Sequence, residues 1–433
     1  MAAGERIPLA DHAADARALL AAARRRVVER LDGELVGRVA ATEIRARVDV
    51  PGHDNSQMDG YALASADVSE AGGAVSGGAA LTLPLGPMIA AGDPPGELSA
   101  GTARPIMTGA PIPVGADLVI PVEESAAGRF EAAGAAGVEG AGEERWSTVT
   151  LTPRSAEPGR FVRRRGSDTH RGDTVLRAGQ VLTPARLAHL AACGVAEAEI
   201  EDRLRVIVLS TGSEVAVGGA APVAGGVFDA NGPGLSAALH EAGAEVVHQG
   251  AVPDDAGELV ARLHEQVVSY DADLIVTSGG VSAGAFEVVR HAAVGDGVTM
   301  AFPTVAMQPG GPQGIGTLDL PERRVPWLAF PGNPVSALLS CELIARPALG
   351  APSRTRLRLP LRLEAPEPSP SALEQYRRAR VLPSGAVRLV GGASSHLIGG
   401  LAAADALVIV PVGTDAIDDG DVLDTLLIPG GDR

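Results

Sequence analysis

Three short loops carry the side chains most able to do chemistry in this chain. Ser210-Thr211-Gly212-Ser213-Glu214 follows the apolar run Val206-Ile207-Val208-Leu209. Ser278-Gly279-Gly280-Val281-Ser282 follows Leu274-Ile275-Val276, and Pro331-Gly332-Asn333-Pro334 follows a run ending at Phe330. If these runs are parallel strands, their loops share the carboxyl-end edge, where ligands of open α/β sheets bind. Glycine-rich turns let backbone amides approach a phosphate, and a helix N-terminus adds a favourable dipole. One such loop is more simply a tight turn; three on one edge point to an anion-binding crevice. Carboxylates gather beside it: Glu214 in the first loop, Asp229 before Asn231-Gly232-Pro233, and Asp254 and Asp255 between a strand and a helix. Asp229 and Asp255 also suit helix N-caps. Carboxylates next to a phosphate make sense when Mg2+ bridges them. The pattern therefore points to a magnesium-dependent nucleotide or phosphoester site, with Glu214 and Asp254 as candidate metal ligands.

Other polar clusters say less. Met58-Asp59-Gly60-Tyr61 contains a common turn pair. Arg163-Arg164-Arg165-Gly166-Ser167-Asp168 sets three cations next to an acid. It reads as a solvated charge run or, in an acidic protein, as a local patch that steers anions. His170 and the other histidines lack metal-ligand spacing. Cys193 and Cys341 are too few for a disulfide scaffold or a thiolate zinc site and read as small core residues. No Ser-His-Asp or Walker-type pattern is present.

The elements that must hold these groups fall into stretches of different character. Residues 11–35 carry apolar positions at helical intervals and predict a helix. Residues 51–149 are rich in Gly, Pro and short apolar runs such as Pro105-Ile106-Met107 and Leu118-Val119-Ile120, which predicts a β-rich unit. The Ala/Gly/Glu tract at 131–144 predicts a mobile loop. From 204 to 350 strands alternate with helices at 234–242, 255–268 and 335–345, the signature of a parallel sheet covered on both faces. Residues 351–433 alternate with period two in Arg356-Leu357-Arg358-Leu359 and Leu361-Arg362-Leu363, with further strand candidates at 387–390 and 407–410. They predict a small β-barrel or sandwich, and 373–380 is ambiguous between helix and strand.

Composition sets the outer limits. The 433 residues contain 36 Lys and Arg against 53 Asp and Glu, a formal net charge of −17. Such a chain is not built to cover nucleic-acid phosphate. Hydrophobic residues are 45 %, enough for packed cores, while aromatics are only 3 %, so Ala, Val and Leu must fill them. Charge-free stretches at 71–92 and 297–318 are broken by prolines and predict no membrane helix. The order of charges near the start is unlike a secretory signal, and a cytoplasmic location is expected.

Taken together, the motifs are specific. Asp54-Asn55-Ser56-Gln57-Met58-Asp59-Gly60-Tyr61-Ala62 resembles the signature of molybdopterin molybdenumtransferases, the molybdenum insertases of cofactor synthesis. So do Ile106-Met107-Thr108-Gly109-Ala110-Pro111-Ile112-Pro113, Arg164-Arg165-Gly166-Ser167-Asp168, Ser210-Thr211-Gly212-Ser213-Glu214, the stretch 273–282 and Phe330-Pro331-Gly332-Asn333-Pro334. They occur in family order over nearly the whole chain, and the similarity extends to the C-terminal half of gephyrin. The resemblance implies four subdomains: an extended linking domain from 1–50 and 150–203, an inserted β-rich domain at 51–149, an α/β domain at 204–350 similar to the molybdopterin adenylyltransferase fold, and a C-terminal β-barrel at 351–433. It implies a homodimer that inserts molybdenum from molybdate into adenylylated molybdopterin and releases AMP, with Mg2+ as cofactor. A molybdopterin adenylyltransferase is a further implied partner, and nucleic acid and membrane are not. The family's site lies between the α/β domain of one subunit and the inserted domain of the other.

By the same resemblance, Asp59, Asp168, Glu214, Asp254 and Glu287 are the candidate catalytic residues. Thr108 and Glu123 would reach the substrate from the inserted domain. Asp229, Asn231, Ser278, Gly279, Gly280 and Ser282 would line the α/β site, with Pro331, Asn333 and Pro334 beside the nucleotide and pterin. Arg378 and Ser395 would come from the barrel. Two positions depart from the family pattern. Glu287 stands where Asp is frequent, and Gln308-Pro309-Gly310-Gly311-Pro312 replaces a Lys-Pro-Gly-Lys-Pro run, so two cations are missing. Two other readings compete: a non-catalytic molybdopterin-binding or scaffold paralogue, and a molybdopterin adenylyltransferase. The inserted domain with Asp59 and the Arg164 to Asp168 motif favours the insertase.

Overall fold

The structure is a computed structural model that describes residues 6–70, 80–130, 148–216, 224–282 and 287–430. The expected loop at 131–144 lies outside the described residues. The chain divides into two compact units: Met1–Val27 with Gly37–Val39 and Ile200–Arg433, and Val28–Val36 with Ala40–Glu199.

The first unit is organised by a six-stranded sheet in the order Glu245–Val252, Arg205–Thr211, Leu274–Ser278, Arg324–Phe330, Gly314–Asp319, Val298–Ala301. The first four strands run parallel. Successive side chains of a strand point to opposite faces, so an unbroken apolar run serves two cores at once. Val206 and Val208 pack with Val276, Leu328 and Phe330 under the helices that carry Leu235, Leu239 and Ala337. Ile207 and Leu209 pack on the other face with Ile275, Trp327, Leu259 and Leu263. Each such side chain contributes about 1.5–3 kcal/mol when fully buried. The register aligns Ser210 with Ser278 and Ser278 with Phe330, so the loops after these strands leave one edge together. This is the placement the alternating pattern predicts.

The last two strands of the sheet are antiparallel, an extension the sequence pattern does not announce. Gly316 lies in the first of these two strands, where the neighbouring strand leaves no room for a side chain. A Cβ there would sit 1.8 Å from the Thr299 carbonyl oxygen.

The region after Pro352 is a closed five-stranded barrel. Glu374–Val381 pairs with both Val387–Leu389 and Ala406–Val410, and Arg356–Arg362 and Val422–Leu427 complete the ring. Its core is Leu361, Ala379, Val387, Val408 and Val410. The ambiguous stretch at 373–380 is thus a strand, and the two alternating runs before it are one strand through Pro360.

The first helix corrects a second expectation. It spans Leu9–Ala21, not 11–35, and a strand follows at Arg26–Arg30. The arginines between them draw the chain out of the helix. Arg24 pairs with Glu201 and donates to the Ala348 carbonyl at 2.9 Å, while Arg25 pairs with Asp271 and Asp273. Val27 and Val28 then favour extended backbone. The helix buries Ala16 and Leu20 in the core beneath the parallel sheet.

The second unit is β-rich, as its turn-laden sequence predicts. Gly60–Leu63 lies between Arg104–Ile106 and Leu118–Pro121, antiparallel to both. Leu81–Pro84 pairs with Thr148–Leu151, and Asn55–Ser56 with Val162–Arg163. Tyr61, Leu63, Leu118, Ile120 and Val149 form its core. A helix at Pro184–Ala192 is capped by Thr183, whose hydroxyl accepts from the Arg186 N–H.

Candidate functional site

The carboxyl edge of the parallel strands encloses a cleft of about 640 Å3. Gly279 and Gly280 turn the loop after Leu274–Ser278 with φ +97° and +68°. A Cβ at Gly279 would stand 2.5 Å from Thr211 Oγ1, and one at Gly280 2.8 Å from Val288 Cγ1. Backbone rather than side chains therefore faces this part of the cleft. Ser278 is buried at the strand end, its hydroxyl 3.4 Å from Ser210 Oγ. Glu287 Oε2 accepts from the Ser282 N–H at 2.9 Å and holds the far end of the loop.

The acids are held in different ways. Asp229 Oδ1 accepts from Ser210 Oγ at 2.8 Å and from the Asn231 and Gly232 amides at 3.0 and 2.9 Å. It anchors the start of the Asn231–Glu241 helix from one residue before the N-cap, which is Ala230 rather than Asp229 as expected. Asn231 donates through Nδ2 to the Gly332 carbonyl at 2.8 Å and ties that start to the Pro331–Pro334 loop. Asn333 caps the next helix by accepting from the Val335 N–H, with Pro334 at its first position. Asp255 is a plain N-cap to Glu258 N, whereas Asp254 Oδ2 accepts from the Ser213 amide at 3.2 Å across the cleft loops. The Glu214 side chain is exposed and has no hydrogen-bond or ion-pair partner among the described residues, while its carbonyl accepts from the Val227 amide. Its carboxylate lies over Gly212, where a Cβ would stand 2.7 Å from both oxygens.

Glu214, Asp229, Asn231, Asp254, Gly279, Gly280, Ser282, Glu287, Asn333 and Pro334 thus line one cleft. No group of three His, Cys, Asp or Glu side chains that could hold a metal occurs among the described residues. Two exposed carboxylates, Glu214 and Asp254, do share the cleft, and hard oxygen donors of that number suit Mg2+, which keeps waters and takes phosphate oxygens as well. Ser210, Thr211 and Gly332 line it as members of the loops the sequence points to, and Val215, Val227 and Phe228, which the sequence reading did not single out, line it as well. Phe228 stands in the sequence only as a lone aromatic before Asp229, which marks no contact.

The remaining candidates stand elsewhere. In the second unit, Asp59 Oδ1 accepts from the Thr108 N–H at 2.7 Å and its hydroxyl at 2.8 Å. These bonds hold the Asp59 carboxyl below its ordinary pKa. The Val122 amide donates to the Asp59 carbonyl at 3.0 Å, which sets the turn that carries Glu123 beside them. Asp168 is exposed, with its amide bonded to the Val50 carbonyl at 3.0 Å. Arg164 pairs with Asp54 at 2.7 Å and Arg165 with Asp49 at 2.5 Å, so these two are neutralised locally rather than bare. In the barrel, Arg378 is 4 % exposed and spends its guanidinium on the carbonyls of Ser394 and Gly392. Its Nε has no partner, and burial pulls its pKa down. Ser395 is half-buried on the same loop. Neither Arg378 nor Ser395 lines the cleft. Gln308 accepts from Gln375 Nε2 at 2.7 Å, and a Cβ at Gly311 would lie 3.8 Å from Arg6 Nη1.

Three family models match the chain: the MoeA N-terminal region (domain I and II) over 7–194, a probable molybdopterin binding domain over 207–351, and the MoeA C-terminal region (domain IV) over 360–428. The chain is 39 % identical over 390 residues to molybdopterin molybdenumtransferase 2 of Mycobacterium tuberculosis, covering 87 % of this chain and 88 % of that protein. It is 33 % identical over 437 residues to molybdopterin molybdenumtransferase 1 of the same organism, covering 95 % and 97 %. The crystal structure of the molybdopterin biosynthesis MoeA protein from Pyrococcus horikosii matches the fold with a TM-score of 0.74 at 24 % identity, over 98 % of this chain and 100 % of that one.

Proposed function

The chain belongs to the molybdopterin molybdenumtransferases, enzymes that insert molybdenum into molybdopterin during cofactor biosynthesis, and we propose on that premise that its substrate is adenylylated molybdopterin. The reaction draws molybdenum from molybdate into the dithiolene, and water cleaves the phosphoanhydride between molybdopterin and AMP, leaving the molybdopterin phosphate and free AMP. The observation that carries this is the single cleft where glycine-rich loops and acids meet. Phosphoanhydride cleavage depends on positioning and charge stabilisation more than on a strong nucleophile. The 279–280 turn and the Pro331–Pro334 loop present backbone to the phosphate, while Asp229 and Asn231 fix the shape of the cleft. Glu214 and Asp254 would hold Mg2+, which when bound offsets the phosphate charge.

Molybdate is a dianion and is repelled by these bare carboxylates. It needs amides, hydroxyls or cations. Arg378 Nε, a buried donor without a partner, and the nearby Ser395 hydroxyl meet that requirement. Asp59, Asp168, Thr108 and Glu123 act in the same reaction, contributed by a second copy in a homodimer. The enzyme works in the cytoplasm, alongside the adenylyltransferase that supplies its substrate.

The test is AMP release from adenylylated molybdopterin with and without molybdate and Mg2+. Release that requires both supports the proposal, and release independent of molybdate overturns it. Glu214→Gln is expected to abolish molybdate-dependent release. Wild-type turnover in that variant removes Glu214 from the mechanism.

A further inference from the structure

One large apolar side chain on the cleft is left without packing. Phe228 is 64 % exposed, and Val227 beside it 52 %. Both line the cleft that holds Glu214, Asp229 and Asp254. The chain has only six phenylalanines, and the others described are occupied. Phe330 is buried at 1 %, Phe130 meets Tyr61 edge-on, and Arg160 and Arg290 lie over Phe161 and Phe302. Phe228 has no ring or cation partner among the described residues.

Its backbone is fixed on both sides. Val215 and Ala216 pair in parallel with Val227 and Phe228. The Val227 amide donates to the Glu214 carbonyl at 2.9 Å and the Asp229 amide to the Ala216 carbonyl at 3.0 Å. Asp229 in turn is held by three hydrogen bonds. An aromatic face is therefore presented to the cleft from an ordered backbone, which lowers the entropy cost of using it. A flat heterocycle stacks on such a face whatever its hydrogen-bonding edge.

We propose that Phe228 is the stacking platform for the planar ring of the substrate, pterin or adenine, with Val227 and Val215 extending the apolar surface beneath it. The proposal rests on the assignment of adenylylated molybdopterin to this cleft. It also orients the substrate, with the ring over Phe228 and the phosphate toward the Gly279-Gly280 turn.

The experiment titrates AMP and, separately, free neopterin into the full chain by calorimetry. Phe228→Ala is expected to weaken one of the two by roughly tenfold, the usual scale of a lost base–aromatic stack. Phe228→Tyr stays within about twofold of wild type, and Phe228→Leu, apolar but not planar, falls near alanine. The probe that responds identifies the ring. With the whole substrate, KM rises in Phe228→Ala while kcat holds. If wild type binds AMP or neopterin and Phe228→Ala binds both as tightly, the platform is excluded while the assignment of the cleft stands. If wild type binds neither, that assignment falls and the platform with it. Loss of self-association in Phe228→Ala with ring binding intact would make the residue a contact between copies and also overturn the proposal.

Discussion

Glu214 does nothing for the fold that another side chain could not do. Its side chain is exposed and makes no hydrogen bond or ion pair among the described residues, yet the backbone around it is shaped to receive it, with Gly212 at φ +141° beneath its carboxylate. Its replacement by Gln should leave thermal stability within about 0.5 kcal/mol, the usual range for a surface change, and a melt alongside the AMP assay separates lost chemistry from lost structure. Gln308 and Gly311 pose the opposite case, where chemistry expected of the site is missing. A Cβ at Gly311 would meet the Val305 carbonyl oxygen at 3.3 Å, a tight contact that asks the backbone to give by a few tenths of an ångström. Gln308→Lys with Gly311→Lys is expected to tighten molybdate binding by roughly tenfold, because one charge-assisted hydrogen bond is worth about 1.5–3 kcal/mol. Arg6 already brings a cation to the loop. Titration of molybdate at fixed ionic strength decides the matter, and equal or weaker binding in the variant means the anion is held elsewhere.

At the level of elements, the parallel core was legible because physics there is local. A run such as Val206-Ile207-Val208-Leu209, apolar at every position, has few options besides a strand covered on both faces, and the loops after such strands necessarily share an edge. The acids that line the cleft were legible for the same reason, as residues of those loops. Legibility ended where distant contacts decide. The arginines at 24 and 25 end a helix that apolar spacing would continue, because Glu201, Asp271 and Asp273 wait for them far along the chain. The use of Phe228 was invisible because a lone aromatic before an aspartate carries no period.

Two predictions belong to these elements. Gly279→Ala forces a side chain into φ +97° and within 2.5 Å of Thr211 Oγ1. It is expected to cost about 1–3 kcal/mol in urea unfolding, and to weaken AMP binding with it. Unchanged stability and affinity would show that the turn relaxes freely. His12, on the first helix, is fully buried with both ring nitrogens unpartnered. Burial holds its pKa below the ordinary imidazole value, against a smaller upward pull from Asp15. The unfolded chain therefore takes up a proton below about pH 6.5 that the folded chain refuses. The neutral histidine is fully tolerated above that pH, and stability falls as pH drops through the window toward the lowered folded value. His12→Leu is expected to shrink the loss in Tm between about pH 7.5 and about pH 5.5. An identical loss in both proteins would assign the acid sensitivity to other groups.

For the whole molecule the question is whether two sets of side chains, far apart in sequence, serve one reaction. Asp59, Thr108 and Glu123 belong to the second unit, and the cleft with Glu214 and Asp254 to the first. If a homodimer supplies the two sets from different copies, Asp59→Asn and Glu214→Gln are each inactive alone. A mixed dimer then pairs the sound cleft of the Asp59→Asn chain with the sound second unit of the Glu214→Gln chain, and one of its two sites is whole. Random exchange at equal amounts makes half the dimers mixed, so activity should return to about a quarter of wild type. If both sets act from the same chain, mixing restores nothing, because every chain still carries one defect. Sedimentation of the mixture guards the inference by showing that dimers are present and have exchanged. Silence from exchanged mixed dimers would end the shared-site proposal, and a fully active monomer would end the dimer itself.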